Sequence, residues 1–244
     1  MPNPVPPLLV ADSFLLVDGR VRRLDLHRQR FLASCQELLS RPASRADAGV
    51  FWDVAMRSLP RHGEWFPRIE AVPDGDEVEF RLALRPAPER SASVQAALAA
   101  APDPRVLPLR KGPDLNRLAA FRTRWARAPG AEVLLRTADG TLLEGTTANL
   151  FWWRDEVLCM PAPELPVLPG VTAAVLLQRA GELGIPVRHC RVSIDELDGR
   201  EAWLVNALHG IRPVTRWLGT ATAAGSAVHA PAWQTWLEAQ QESL

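Results

Sequence analysis

Apolar and polar residues alternate along the chain with two periods, and each change of period marks an element. Alternation over Ser13–Val17 and Val21–Leu24 flanks Asp18-Gly19, which predicts a hairpin. His27–Ser40 sets Phe31, Leu32, Cys35, Leu38 and Leu39 at helical spacing with arginines opposite. A second amphipathic helix is predicted over Ser44–Leu59, stopped by Pro60. Trp65–Val72 and Glu77–Arg85 read as strands joined across Pro73-Asp74-Gly75, and the Ala- and Pro-rich stretch Ala96–Pro108 as the connection between two lobes.

The second half opens on Lys111 and a predicted helix over Leu115–Arg127. A hairpin follows: Glu132–Arg136, a turn at Ala138-Asp139-Gly140, then Leu142 onward to Trp153. Glu156–Met160 is a further strand, and Pro169-Gly170-Val171-Thr172 starts a helix reaching about Leu183, with Gly184 at its C′ position. Val187–Val192 reads as a strand, Ser193 with Glu196 as a capping box, Ala202–Asn206 as a buried strand and Ala232–Glu242 as a C-terminal helix. No internal repeat is present.

Composition narrows the function. A length of 244 residues, 47% of them hydrophobic, suffices for one large domain or two small ones. The 28 basic residues balance 28 acidic ones, giving no electrostatic reason to expect a nucleic-acid or membrane partner. Cys35, Cys159 and Cys190 are odd in number and widely spaced, and the histidines lack ligand spacing, so neither a disulfide framework nor a metal site is expected. Prolines interrupt the apolar stretch of Met1–Val10, which does not read as a signal peptide, and no uncharged apolar run nears the roughly 18 residues of a membrane span. A cytoplasmic protein is expected.

Within the basic residues, 27 are arginine and one, Lys111, is lysine; tyrosine is absent. The arginine excess reads as GC-rich coding bias. Lys111 differs in being able to lose its proton and act as a nucleophilic amine, the requirement for Schiff-base chemistry, most often with pyridoxal phosphate. That cofactor needs a carboxylate at its pyridine nitrogen and a helix N-terminus for its phosphate.

Glu144-Gly145-Thr146-Thr147-Ala148-Asn149-Leu150-Phe151, followed by Leu168-Pro169-Gly170-Val171-Thr172, resembles the class IV aminotransferase family, the fold-type IV pyridoxal-phosphate enzymes. Lys111 precedes Glu144 by 33 positions, which fits the family pattern, and His27-Arg28-Gln29-Arg30-Phe31 is similar to the family's His-x-x-Arg-Leu. The resemblance implies a D-amino-acid aminotransferase-like α+β fold, with a smaller N-terminal lobe over 1–103, a linker over 104–110 and a cofactor-binding lobe over 111–244. It also implies a homodimer with pyridoxal phosphate at the lobe boundary. Lys111 is then the catalytic residue, and Glu144 keeps the ring nitrogen protonated. Arg30, Val171, Thr172 and the Asn206-Ala207-Leu208 turn bind the phosphate, Gly170 lets the backbone come close to it, and Asn149 shapes the turn after Glu144.

Ala148-Asn149-Leu150-Phe151-Trp152, Leu115-Asn116-Arg117-Leu118 and Val205-Asn206-Ala207-Leu208 resemble the 4-amino-4-deoxychorismate lyase branch of that family, a folate-pathway activity that releases pyruvate and 4-aminobenzoate. The lack of tyrosine argues against the branched-chain transaminase branch, where an Asn-Tyr pair closely follows the lysine. Gly112-Pro113-Asp114 intervene between Lys111 and Leu115, and His209 and Arg212 replace apolar residues; Arg212 is a candidate for a substrate carboxylate, with His209 beside it, or else a surface arginine. A transaminase on the same residues and a non-catalytic binding relative are the alternatives.

Overall fold

The structure, a computed structural model, describes residues 8–38, 42–75 and 77–244. Most of the apolar stretch Met1–Val10, and the expected end of the first helix at Leu39 and Ser40, lie outside the described residues. Two compact units divide the chain. The first takes the chain up to Glu89 with Arg110–Leu115 and Gln240–Leu244, and the second takes Arg90–Leu109 with Asn116–Ala239. The division is therefore not linear along the sequence, and Lys111 falls in the first unit rather than at the head of the second.

In the first unit, β1 (Val10–Ser13), β2 (Leu16–Val17) and β3 (Arg20–Arg22) precede two helices, α1 (Leu24–Leu38) and α2 (Pro42–Ser58). Strands β4 (Glu64–Trp65), β5 (Arg68–Asp74) and β6 (Glu77–Ala83) follow. β1, β5 and β6 form one antiparallel sheet; β2, β3 and β4 form a second with the C-terminal strand Gln241–Ser243. The β2–β3 turn sits on Asp18 at φ 45° and Gly19 at φ 74°, the left-handed pair that a two-residue hairpin needs. α1 buries His27, Phe31 and Cys35, one residue per turn, so its apolar stripe meets Trp52 of α2 and Ile69 of β5 in one core.

The second unit holds β7 (Val94–Leu98), most of α3 (Leu115–Trp125), β8 (Glu132–Arg136), β9 (Leu142–Gly145), β10 (Asn149–Arg154) and β11 (Val157–Pro161). Then come α4 (Val171–Glu182), β12 (Val187–Cys190), β13 (Ala202–Asn206), β14 (Gly210–Leu218) and α5 (Ala230–Glu238). The strands run β12-β11-β10-β13-β14-β7-β8-β9, and β9 also pairs with β10. That last pairing closes β10, β13, β14, β7, β8 and β9 into a barrel, which leaves those six strands without an open edge. Leu134, Leu142, Leu150, Leu204, Val214 and Trp217 fill its interior.

One irregularity sets the direction of Glu144. Leu134 pairs with Gly145 and Arg136 with Leu142, so β9 carries one residue more than β8 over the same stretch. Such a bulge reverses the in–out alternation locally. Leu142 and Gly145 then face the barrel interior, while Glu144 turns outward to the side of its register partner Asn149.

Several expected boundaries change. Val94–Leu98 is a strand inside the barrel, not the start of a connection; Ala96 and Ala97 are small because both are fully buried, one on each face. Gly210–Leu218 is a nine-residue strand that Pro213 conceals, since proline argues against a ladder position. The expected strand Ser13–Val17 splits into β1 and β2, and the expected strand Trp65–Val72 into β4 and β5. The last helix ends at Glu238, and Gln241–Ser243 instead pairs with Arg20–Arg22. Among the described residues no helix is long and apolar enough to cross a membrane.

Leu150 is fully buried among the barrel's interior side chains. Leu150→Ala is expected to cost about 2–5 kcal/mol, measured as a lower urea midpoint; an unchanged midpoint would show that this interior contributes little to stability.

Candidate functional site

Glu144 is buried at the β9 bulge, and both of its oxygens are engaged. Oε1 accepts from Arg105 Nη1 at 2.5 Å and from the Leu168 N–H at 2.8 Å; Oε2 accepts from Asn149 Nδ2 at 3.0 Å. A carboxylate oxygen has two acceptor positions, so Oε2 keeps one after Asn149. Arg105 is held in turn by Asp103, whose carboxylate takes Nε and Nη2, and by the Pro166 carbonyl at 2.8 Å. Burial pushes the Glu144 carboxyl up to about 7, against the opposing pull of the Arg105 guanidinium and the Leu168 N–H.

Asn149 joins this carboxylate to the loop before α4. Its Nδ2 also donates to the Leu168 carbonyl at 2.9 Å, and its Oδ1 lies 1.8 Å from where a Cβ on Gly170 would be. Gly170 is thus required by Asn149, a reason separate from the backbone–phosphate approach expected of it. Gly170 is the N-cap of α4 with no side-chain cap, and the Ala174 N–H is the first to donate within the helix, to Gly170 O. The N–H groups of Val171, Thr172 and Ala173 precede that ladder, which makes this helix start suited to an anion. Val171 and Thr172 are both buried there.

On the barrel's inner face, Glu132 accepts from the hydroxyls of Thr146 and Thr147 and from the Val133 N–H. Gly145 makes room for it, since a Cβ would fall 2.9 Å from Glu132 Cγ. Arg212 approaches Glu132 at 3.7 Å. Asn206 donates from Nδ2 to the Thr147 carbonyl, while its Oδ1 accepts the N–H groups of Leu208 and His209. The Leu208 N–H, expected to face a phosphate, is therefore spent within its own turn. His209 Nδ1 accepts from the Ser91 N–H; burial, reinforced by Arg212 and Arg90, pulls its pKa down to about 4.

The first unit gathers Arg30 and Lys111 with two residues that sequence reasoning gave no role. Asp12 and His27 are buried; Asp12 Oδ1 lies 2.7 Å from His27 Nδ1, and Oδ2 accepts from Arg30 Nε at 2.8 Å. Burial opposes ionisation of Asp12, but Arg30 and His27 together outweigh it and hold the carboxyl below the usual range. Burial pulls the His27 imidazole down, Asp12 opposes that, and Arg30 and Lys111 add to it. An ionised Asp12 fixes the neutral ring with its proton on Nδ1. The Lys111 carbonyl accepts the Ala11 N–H at 2.7 Å. Gly112 has φ +135°, and a Cβ there would stand 2.8 Å from Ala11 N, so only glycine lets this segment lie along β1. The inserted Gly112-Pro113-Asp114 thus has a structural role.

Folding raises the Glu144 pKa from its ordinary 4.5 to about 7. Between those values the folded state keeps a proton that the unfolded chain has released, so stability falls as pH rises. In cofactor-free protein the drop is on the order of 3 kcal/mol, and Glu144→Gln should remove it. Urea midpoints from pH 4.5 to 7.5 check this; parallel profiles for the two proteins would refute it.

Comparison with known proteins identifies the family of the chain. The family model for amino-transferase class IV matches residues 9–217. An aminodeoxychorismate lyase of Bacillus subtilis is 29% identical over 103 residues, which are 42% of this chain and 35% of that protein. The chain thus spans little more than a third of the length of that curated relative. Among solved structures, the branched-chain amino acid aminotransferase of Escherichia coli superposes with TM-score 0.76 at 20% identity, over 93% of this chain and 83% of the other. A hypothetical aminotransferase from Mycobacterium tuberculosis, in its PLP-bound form, gives 0.77 at 20% identity, over 98% and 94%. With a fold-type IV architecture and a family match over most of its length, the chain belongs to the class IV aminotransferase family.

Proposed function

We propose that this chain is a pyridoxal-phosphate-dependent lyase that eliminates pyruvate from 4-amino-4-deoxychorismate and leaves 4-aminobenzoate. The observation that carries the cofactor reading is the buried Glu144 carboxyl with one acceptor position left on Oε2. The uncapped start of α4 suits the phosphate of the same group. The lyase reading is supported by similarity to the curated lyase of Bacillus subtilis.

When bound, pyridoxal phosphate supplies an electron-accepting ring conjugated to the substrate nitrogen. As a carboxylate, Glu144 would accept the ring N–H on the free position of Oε2 and hold that proton at the nitrogen. The Thr172 hydroxyl and the N–H groups of Val171 and Thr172 would hold the phosphate, and by the family resemblance Arg30, fixed by Asp12 through Nε, would add a charge-assisted bond to it. Lys111 would hold the cofactor through its amine and, when free, would act as the base for the proton on the carbon that bears the substrate amine. Its neutral amine is the form that can do so, which an arginine in its place could not provide. The same reading makes the protein a homodimer of the cytoplasm acting in folate synthesis.

Lys111→Ala should abolish the absorbance near about 410–430 nm that a lysine-linked cofactor gives, and lower turnover by about 10²–10⁴-fold. A spectrum unaltered by the substitution would remove Lys111 from this role. Wild-type protein should release pyruvate and 4-aminobenzoate with no keto acid present; turnover that depends on added keto acid assigns transamination instead.

A further inference from the structure

Arg212 is buried in the second unit beside a carboxylate that it does not reach at hydrogen-bonding distance. It pairs with Leu204 and precedes Val214 by two residues, so it faces the barrel interior, and its side chain is 6% exposed. A guanidinium has five N–H donors. Among the described residues Arg212 has no hydrogen-bond acceptor, and its Nε is shut off from solvent without a partner. The nearby carboxylate, Glu132, stands 3.7 Å from Nη2, and its oxygens already serve Thr146, Thr147 and the Val133 N–H. Arg105, in the same unit, is the contrast: Asp103, Glu144 and the Pro108 and Pro166 carbonyls occupy its whole donor fork.

A buried guanidinium whose donors are unmet is costly unless an anion completes it. The surroundings favour one. Arg122 adds positive potential at Arg212, and Arg90 and Arg212 both act on His209. His209 Nδ1 accepts the Ser91 N–H at 3.2 Å, so the neutral ring carries its proton on Nε2 and offers one more donor. Thr147 ties this cluster to the rest of the candidate site: its hydroxyl donates to Glu132 and its carbonyl accepts from Asn206.

We propose that Arg212, set by Glu132 and accompanied by the Nε2–H of His209, binds a carboxylate group of the substrate. The planar fork takes both oxygens of a carboxylate at once, and Glu132 orients the fork without consuming its hydrogen bonds. The inference rests on the reading of this site as one for a small amino-acid-like substrate, and it names the group that selects an anionic one.

The test titrates the holoenzyme with pyruvate and with 4-aminobenzoate by calorimetry, using uncharged 4-aminobenzamide as the control. Arg212→Gln is expected to weaken binding of the carboxylates by about tenfold or more, the loss of one charge-assisted pair, and to leave the amide unaffected. Arg212→Lys should retain part of the affinity. Wild-type protein that binds neither carboxylate, or an Arg212→Gln variant that binds them as tightly as wild type, overturns the proposal. If Arg212→Gln does not fold, Glu132→Gln decides: the amide keeps the shape that sets the fork but removes the opposing charge, so carboxylate binding should tighten several-fold, and unchanged or weaker affinity overturns the proposal. Failure of the lyase reading is seen separately, as dependence of turnover on a keto acid while carboxylate binding still responds to Arg212.

Discussion

Burying Glu144 obliges the second unit to supply donors for both of its oxygens, and much of the local structure follows from that demand. The β9 bulge turns the side chain out of the barrel toward Asn149. Asn149 then needs an acceptor for its second amide hydrogen and finds the Leu168 carbonyl, while the Leu168 N–H returns to Glu144. The loop is thereby drawn so close that residue 170 has no space for a side chain. The same glycine opens α4 and leaves its first N–H groups without a side-chain cap. One buried carboxylate therefore sets the position of the helix start that can receive an anion. Its electrostatics stay balanced: desolvation favours the neutral acid, Arg105 the anion, and the carboxyl ends near neutrality, where it can hold or share a proton.

The residues at the centre of this arrangement are legible in the sequence because their chemistry is local. Glu144, Asn149 and Gly170-Val171-Thr172 lie on a strand, its neighbour and the helix that follows, within one short span of chain. Asp103 and Arg105 were hidden for the opposite reason. They lie in a proline-rich stretch that reads as a connection, and only the closed barrel brings Arg105 to Glu144 from 39 residues away. Asp12 was similarly obscured, since a short strand with one acid gives no periodic signal, and its partners sit 15 and 18 residues downstream on α1. The helix itself gave a clue: a histidine at position 27, in line with Phe31 and Cys35, is buried and so must have a partner.

The fold shows the same division. Helices with a regular apolar stripe and hairpins with Asp-Gly turns are readable because local sterics and periodicity specify them. β7 and β14 are not. Their burial on both faces removes the alternation of a half-exposed strand, and in β14 a proline at the Trp203 register position suppresses the remaining signal. Both pair in parallel with each other, a long-range contact that no turn sequence announces.

The arginine excess also acquires a physical pattern. Asp12 with Arg30 and Glu144 with Arg105 are pairs in which the guanidinium's fixed fork meets a buried carboxylate at hydrogen-bonding distance. In each, the arginine's permanent charge is the useful property, because it keeps an acid ionised or opposes its protonation. Glu132 with Arg212 breaks the pattern: the acid is satisfied by threonine hydroxyls, and the cation stands beyond hydrogen-bonding reach. A coding bias toward arginine explains the abundance but not this difference in pairing. Lys111 completes the contrast, since an arginine there would supply charge and shape but could not give up its proton. Permanent charge fixes Asp12 and Glu144, and the single lysine, whose charge can be removed, lies on the β1-docked segment and acts on His27.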